Sequence, residues 1–273
     1  MTDLSDADFA ACIKALTGDD TPRVWSLIVT LFGDLAQAPG AEISGPALSQ
    51  IFEPIGIRPE AMRVALHRLR KDGWIDSRKS GRSSLYRLTG FGLEQSAAAT
   101  PRIYAREAAE PALWHVLVAA PMPQRDLAET AEELTARGYE PLARGVFLGR
   151  GPAPADCAGF FALAGPAPVL PGWLKAQFGP EDLAEAFRAL HDRLCRVGAL
   201  LPEGAAPGPL ETATLRMLIV HDWRRLLLRQ PDLPAGFFPE GWPGRDCRAL
   251  THRLLDRLPR PDPCALEPAP AEG

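Results

Sequence analysis

Between residues 24 and 72, apolar positions recur with a helical period and stop at turn residues. Val24, Leu27, Ile28 and Leu31 follow the i, i+3, i+4, i+7 spacing of a helix with one buried stripe. Thr21 and Pro22 supply its cap and first turn, and the pattern carries it to about Gln37. A loop over residues 38–42 follows. Ser44 is placed to cap a second helix carrying Leu48, Ile51 and Phe52, and Pro54-Ile55-Gly56-Ile57 makes a turn. Pro59 opens a third helix to about Asp72, with Gly73 at a left-handed C-terminal position. Met62, Ala65, Leu66 and Leu69 form its apolar stripe, while Arg63, His67, Arg70 and Lys71 fall on the other side. Trp74–Arg78 and Ser84–Leu88 then alternate like paired strands around the turn K-S-G-R. Ile75, Leu85 and Leu88 face this hairpin toward the helices. The order predicts a winged helix-turn-helix.

The pattern changes further along. Residues 93–111 are Ala-rich, a linker or connecting helix. L-W-H-V-L-V-A reads as a buried strand, and Gln124–Arg137 as an amphipathic helix on Leu127, Ala131 and Leu134. Strands are expected within Pro141–Leu148 and Gly159–Leu163, giving a small α+β domain whose fourth strand has no obvious place. The last third is helical, over about 180–200, 210–229 and 246–258. A proline-punctuated segment, P-D-L-P-A-G-F-F-P-E-G-W-P-G, is too apolar to be left unpacked, and the tail after Pro259 is expected to fray. The fold class is α+β. The segments are a DNA-binding domain at 1–92, a linker and α+β domain at 93–179, and an α-helical C-terminal domain at 180–273.

Charge sharpens the picture. Arg58–Leu88 holds nine Lys or Arg against three acids, a local balance of +6 in a chain of net charge −4. A basic helix and hairpin in an otherwise acidic protein is the electrostatic footprint of duplex DNA binding. In that reading Arg63 is the first candidate for reading bases and His67 the second, because Arg matches guanine O6 and N7 in a bidentate contact. Arg58, Arg70 and Lys71 border that face, with Arg58 and Lys71 at its ends suited to phosphates. Arg78, Lys79 and Arg82 at the hairpin tip suit phosphates or the minor groove, and Arg87 is deeper and structural. The plainer readings are a solvated helix face and a tip charged for solubility.

Other chemistry is thinly represented. The five cysteines are scattered without C-x-x-C spacing, which reads as unpaired thiols in a reducing, cytoplasmic setting. The acidic first residues do not read as a targeting segment, and the run Ala213–Val220, interrupted by Arg216, is too short to span a bilayer. No G-x-S-x-G, H-E-x-x-H or phosphate-binding glycine loop is written. His191-Asp192 and His221-Asp222 raise one enzymatic alternative, a metal-dependent hydrolase. Neighbours on a helix diverge by about 100°, so each pair would need further ligands, and only His115 and His252 are spare. Helix-surface or capped core groups are the simpler reading, and neither a catalytic residue nor a metal ligand is assigned. His221 and Arg225 share a face beside Arg224, which ion pairing would explain.

Three blocks resemble PaaX-type bacterial transcriptional repressors of phenylacetate catabolism. S-L-I-V-T-L-F-G-D, M-R-V-A-L-H-R-L-R-K-D-G-W and G-R-S-S-L-Y-R-L-T-G are similar to the family's N-terminal winged helix. H-D-W-R-R-L-L-L-R-Q-P-D-L-P-A-G-F-F-P-E-G-W-P-G resembles its C-terminal signature and is the more specific block. The resemblance implies a homodimeric repressor on double-stranded operator DNA, a ferredoxin-like middle domain, and release by an aryl-acetyl-CoA effector such as phenylacetyl-CoA. It implies no cofactor. Under it, His221, Arg224 and Arg225 become candidates for an anionic part of that effector, since acyl-CoA phosphates call for Arg or Lys. A regulator of the same family answering to a different acyl-CoA or aromatic acid is the nearer alternative. Gln230 stands where an acidic residue is expected, and His67 where a small hydroxyl residue is usual.

Overall fold

The computed structural model describes residues 4–18, 23–81, 83–108, 110–157, 159–166, 168–204 and 207–267. The expected cap at Thr21-Pro22 and the hairpin residue Arg82 lie outside the described residues. The chain forms two compact units. The first takes in the chain up to Arg106, Asp182–Arg229 and everything from Pro243; the second comprises Glu107–Glu181 and Gln230–Trp242.

The first unit begins with α1 (Asp6–Thr17), a helix that the sequence reading left as an acidic start. Ser5 caps it by accepting the Asp8 amide at 3.1 Å, and it buries Cys12, Ile13 and Leu16. Then come α2 (Val24–Leu35), a two-residue strand β1 (Ile43–Ser44), α3 (Gly45–Phe52) and α4 (Pro59–Lys71). Ser44 caps α3 through the Ala47 amide at 3.1 Å, and Gly73 closes α4 at φ 75°. The hairpin of β2 (Ile75–Ser80) and β3 (Ser83–Leu88) takes β1 on its other side, in the order β1-β3-β2, with Ile43 opposite Tyr86 and Ile75 opposite Leu88. The Ala-rich segment is α5 (Gly90–Tyr104), capped by Thr89. It approaches the hairpin so closely that a Cβ on Gly92 would lie 2.1 Å from the Trp74 carbonyl oxygen.

Helices α8 (Glu181–Leu200), α9 (Pro209–Leu227) and α10 (Pro243–Arg257) belong to this same unit but for Glu181, so residues 1–92 and most of 180–273 are not separate bodies. The reason lies in α9. Thirteen of its nineteen residues are buried, on every side, and it packs on α1, α2, α3, α5 and α10. A helix buried all round needs neighbours all round. Arg216 sits in its apolar run because Asp34 of α2 meets it with two hydrogen bonds of 2.8 Å. The tail is not frayed where it is described. Arg260 reaches Asp34 at 3.0 Å and lies 4.4 Å from the Tyr104 ring centroid, and Leu266 is fully buried.

The second unit is a four-stranded antiparallel sheet, in the order β5-β6-β4-β7. Its strands are β4 (Trp114–Ala119), β5 (Glu140–Ala143), β6 (Val146–Arg150) and β7 (Phe160–Gly165), with α6 (Gln124–Ala136) between β4 and β5. The missing fourth strand is β5, an edge strand obscured by Pro141 and by a register shift between Pro141 and Ala143. The short helix α7 (Gly172–Phe178) was not anticipated. Leu117, Leu134, Tyr139, Phe147 and Cys157 make the core. The proline-punctuated segment does pack: Phe237 lies 4.7 Å from Trp114 and 6.2 Å from Phe178, ring centre to ring centre. Gln230 is buried and accepts the Trp242 indole N–H at 3.2 Å, a task for which an amide oxygen suffices.

Candidate nucleic-acid interface

The face of α4 away from the core is set by its period. Met62, Ala65, Leu66 and Leu69 are buried. At about 100° per residue, the line opposite that stripe runs through Glu60, Val64, His67 and Lys71. Arg63 and Arg70 flank it on one side and Arg68 on the other, where its guanidinium lies 5.9 Å from the Trp25 ring centroid. Arg58, Arg63, His67, Arg70 and Lys71 are all exposed, so the structure brings the expected helix residues onto one solvent-facing surface. Arg63 rests on Glu60 at 2.8 Å, an exposed pair three residues apart that contributes little and opens readily.

Val64 was missed. It is 70% exposed in the middle of this face. The signal was in the sequence, because Val64 is an apolar residue off the helix's own apolar stripe.

The hairpin cations differ among themselves. Arg78 is engaged by Glu42, Nε–Oε1 2.8 Å and Nη2–Oε2 2.6 Å, which ties β2 to the loop before β1. That bidentate contact holds the Glu42 carboxyl below its usual range and raises the Arg78 pKa. Arg87 pairs with Asp76 across the hairpin at 3.4 Å, in keeping with a structural role. Lys79 is exposed near the tip, and no ion pair involves it among the described residues. Gly81 turns the chain there at φ 58°, a conformation that favours glycine.

His221, Arg224 and Arg225 do not converge. His221 is buried, its Nδ1 3.3 Å from Thr30 Oγ1, and burial together with the charges of Arg224 and Arg225 pulls its pKa down to about 4. Arg224 runs to Ser26, whose Oγ accepts from Nη2 at 3.0 Å. Arg225 is exposed and lines a groove of about 420 Å³ among α1, α8 and α9, with Arg193 and Asp222. Adjacent helical residues point too far apart for one anion to hold all three.

The His-Asp pairs are likewise dispersed. His191 lies 4.0 Å from Asp192 and 3.7 Å from Cys195, while Asp222 is held by Arg193 at 3.0 Å. Among the described residues, no group of three or more His, Cys, Asp or Glu could hold a metal ion. His115 is a core residue of the second unit: its Nδ1–H donates to the Gly151 carbonyl at 2.9 Å, leaving Nε2 to accept the Tyr139 hydroxyl at 3.0 Å. Among the described residues, no helix is long and apolar enough to cross a membrane.

Known proteins share these features. The solved structure of uncharacterized protein Rv0674 from Mycobacterium tuberculosis has a similar fold, with a TM-score of 0.50 and 23% identity over 85% of this chain and 93% of that one. The transcriptional repressor PaaX of Escherichia coli (strain K12) is 28% identical over 258 residues, 85% of this chain and 79% of that protein. Residues 23–92 match the family model described as PaaX-like protein, and residues 178–262 match that of the PaaX-like protein C-terminal domain. With more than half of its length matched by these two models, the chain belongs to the PaaX-like family.

Proposed function

We propose that this protein is a DNA-binding transcriptional repressor, a regulator rather than an enzyme, and that residues 24–88 act as a winged helix-turn-helix. The observation that carries the reading is the outward face of α4, where Arg63, His67, Arg70 and Lys71 stand together in solvent around Val64. In such a domain the recognition helix enters the major groove with its N-terminal half nearest the bases. Arg63 then reads a guanine, Val64 meets a thymine methyl, and His67 lies deeper along the groove. Arg58, Lys71 and Lys79 hold phosphates, while Arg78 takes part only by exchanging Glu42 for a phosphate. The relative named as a repressor supports this use of the face. In the second unit, the order β4-α6-β5-β6-β7 and the sheet order β5-β6-β4-β7 support a ferredoxin-like reading, with its second helix reduced to the short turn at Ala155–Cys157.

One recognition helix per chain buries too little surface for tight operator binding, so the repressor acts as a homodimer on inverted half-sites. By the family resemblance its effector is an aryl-acetyl-CoA, such as phenylacetyl-CoA, that favours the DNA-free state. Of the three residues first considered for it, Arg225 alone lines a groove roomy enough to admit part of such a ligand.

The test is operator selection from random duplexes followed by binding at several salt concentrations. Arg63→Ala is expected to cost about 1–3 kcal/mol on the selected site and to relax one base position per half-site. Lys79→Ala should weaken all sequences alike and lower the salt slope by about 1. Equal losses on selected and random DNA for both variants would remove Arg63 from base reading. Calorimetry with phenylacetyl-CoA, phenylacetate and CoA, with and without operator, tests the effector. Binding of the free acid with indifference to the thioester refutes that assignment.

A further inference from the structure

The two edges of the sheet in the second unit are built differently. At the β5 edge stand Glu140, Pro141 and a register shift, three devices by which edge strands avoid pairing with another chain. At the β7 edge the strand is F-F-A-L-A-G, with neither charge nor proline, and its register against β4 runs unbroken from Phe160 to Gly165. Among the described residues, no backbone hydrogen bond outside the sheet uses β7. Phe161 is 69% exposed and Leu163 64%. Both stand on the side of the sheet away from α6, because they pair in register with Val118 and Val116.

We infer that β7 pairs antiparallel with β7 of a second copy, joining the two sheets into one across a two-fold axis at Ala162. This rests on the dimeric reading above and names its surface. The register follows from geometry. A two-fold axis perpendicular to a sheet keeps each residue on its own face, and residues paired across strands share a face. Partners must therefore be an even number of positions apart, so the axis passes through a residue and not between two. Centred on Ala162, Phe161 of one copy faces Leu163 of the other, and Phe160 faces Ala164. Every cross-strand pair is then apolar, and the two exposed side chains cover each other.

A foreign peptide is the poorer occupant, because an uncharged strand of Phe, Ala and Leu offers no charge with which to select one. The size of the contact sets its strength. Taking roughly 200 Å² for a large side chain, Phe161 and Leu163 of both copies bury on the order of 500 Å². The paired backbones and the remaining side chains bring the total toward the ~1,000 Å² at which specific interfaces begin. The dimer is accordingly reversible, with Kd on the order of 10 µM in the absence of DNA.

Sedimentation velocity of the full chain from about 1 to 200 µM should show this association. Phe161→Glu and Leu163→Glu, both at exposed positions, should weaken it at least about tenfold with unchanged circular dichroism, since each places like charges near one another in the dimer. In a Cys195→Ser, Cys264→Ser background, which removes the exposed thiols, Ala162→Cys should give a disulfide-linked dimer on mild oxidation and Glu132→Cys should not. The cross-link decides the matter even where a glutamate variant fails to fold. A wild-type chain that stays monomeric throughout overturns the inference. So does a dimer that survives both glutamate variants without cross-linking at Ala162, and that second result leaves a two-fold repressor standing on a different surface.

Discussion

Replacing Asp34 with alanine attacks the most buried charge arrangement in the protein. The Asp34 side chain is 1% exposed and that of Arg216 is 4% exposed. The carboxylate takes both Arg216 contacts at 2.8 Å, the Tyr104 hydroxyl at 2.6 Å and Arg260 at 3.0 Å. Without it Arg216 keeps only the Leu255 and Leu258 carbonyls. An uncompensated buried charge of this kind costs about 3–5 kcal/mol, against a total stability of roughly 5–15 kcal/mol. In a unit of this size that lowers the melting temperature by roughly 6–20 °C. Asp34→Leu combined with Arg216→Met removes both charges together and should recover most of the loss. Burial alone would raise the Asp34 pKa, but the hydrogen bonds from Arg216 and Tyr104 and the charges of Arg216 and Arg260 hold it below the ordinary range. The ionised carboxylate binds protons less readily folded than unfolded, so its contribution is complete above about pH 4 and is lost as pH falls through the depressed folded value. Urea unfolding at pH 7 and in acid checks both statements. A loss below about 1 kcal/mol for Asp34→Ala, or no recovery in the double variant, would show that Arg216 finds water or another partner and that the pair is not what holds α2 to α9.

Two further outcomes follow from buried polar groups. His221 titrates near pH 4 folded and near 6.5 unfolded, so the unfolded chain binds the proton first and about 3 kcal/mol of stability is lost between pH 6.5 and 4. His221→Gln should flatten that slope in urea titrations, and an unchanged slope would assign it to other groups, such as His252, whose pKa is also lowered by burial. In the second unit, a Cβ on Gly149 would lie 2.4 Å from the His115 ring and 2.6 Å from Tyr139. Gly149→Ala should cost about 1–3 kcal/mol through overpacking, read as a lower urea midpoint, and a neutral result would mean that the His115–Tyr139 pair moves aside freely.

The sequence made the DNA-facing part legible because local rules and tertiary packing agree there. Ser44, Pro59 and Gly73 mark the helix ends that the structure shows, and the stripe Met62-Ala65-Leu66-Leu69 is buried as its spacing requires. Where the signal was local but weak, elements escaped. The helix α1 has Ser5 as its cap, but its acidic opening reads as solvent-facing chain until the burial of Cys12, Ile13 and Leu16 is seen. The strand β1 is two residues long and exists only because β3 lies beside it. In β5, Pro141 argues against a strand, and only its place at a sheet edge makes the strand possible.

Long-range pairing was not legible at all. Nothing near Asp34 in the sequence announces Arg216, 182 positions away, and nothing near Arg260 announces Asp34, 226 positions back. Both contacts follow from α9 filling the centre of the first unit, which no periodicity in residues 1–92 can reveal. The same limit explains the cluster of His221, Arg224 and Arg225. Spacing along α9 places these residues near one another in sequence, but it is α2 that decides their fate. Thr30 takes His221 and Ser26 takes Arg224, both inward, leaving Arg225 to the groove beside Arg193. On α4 the opposite holds. Its outer face meets no other element, so the helical period alone determines which side chains reach solvent, and the positions read from it needed only the addition of Val64.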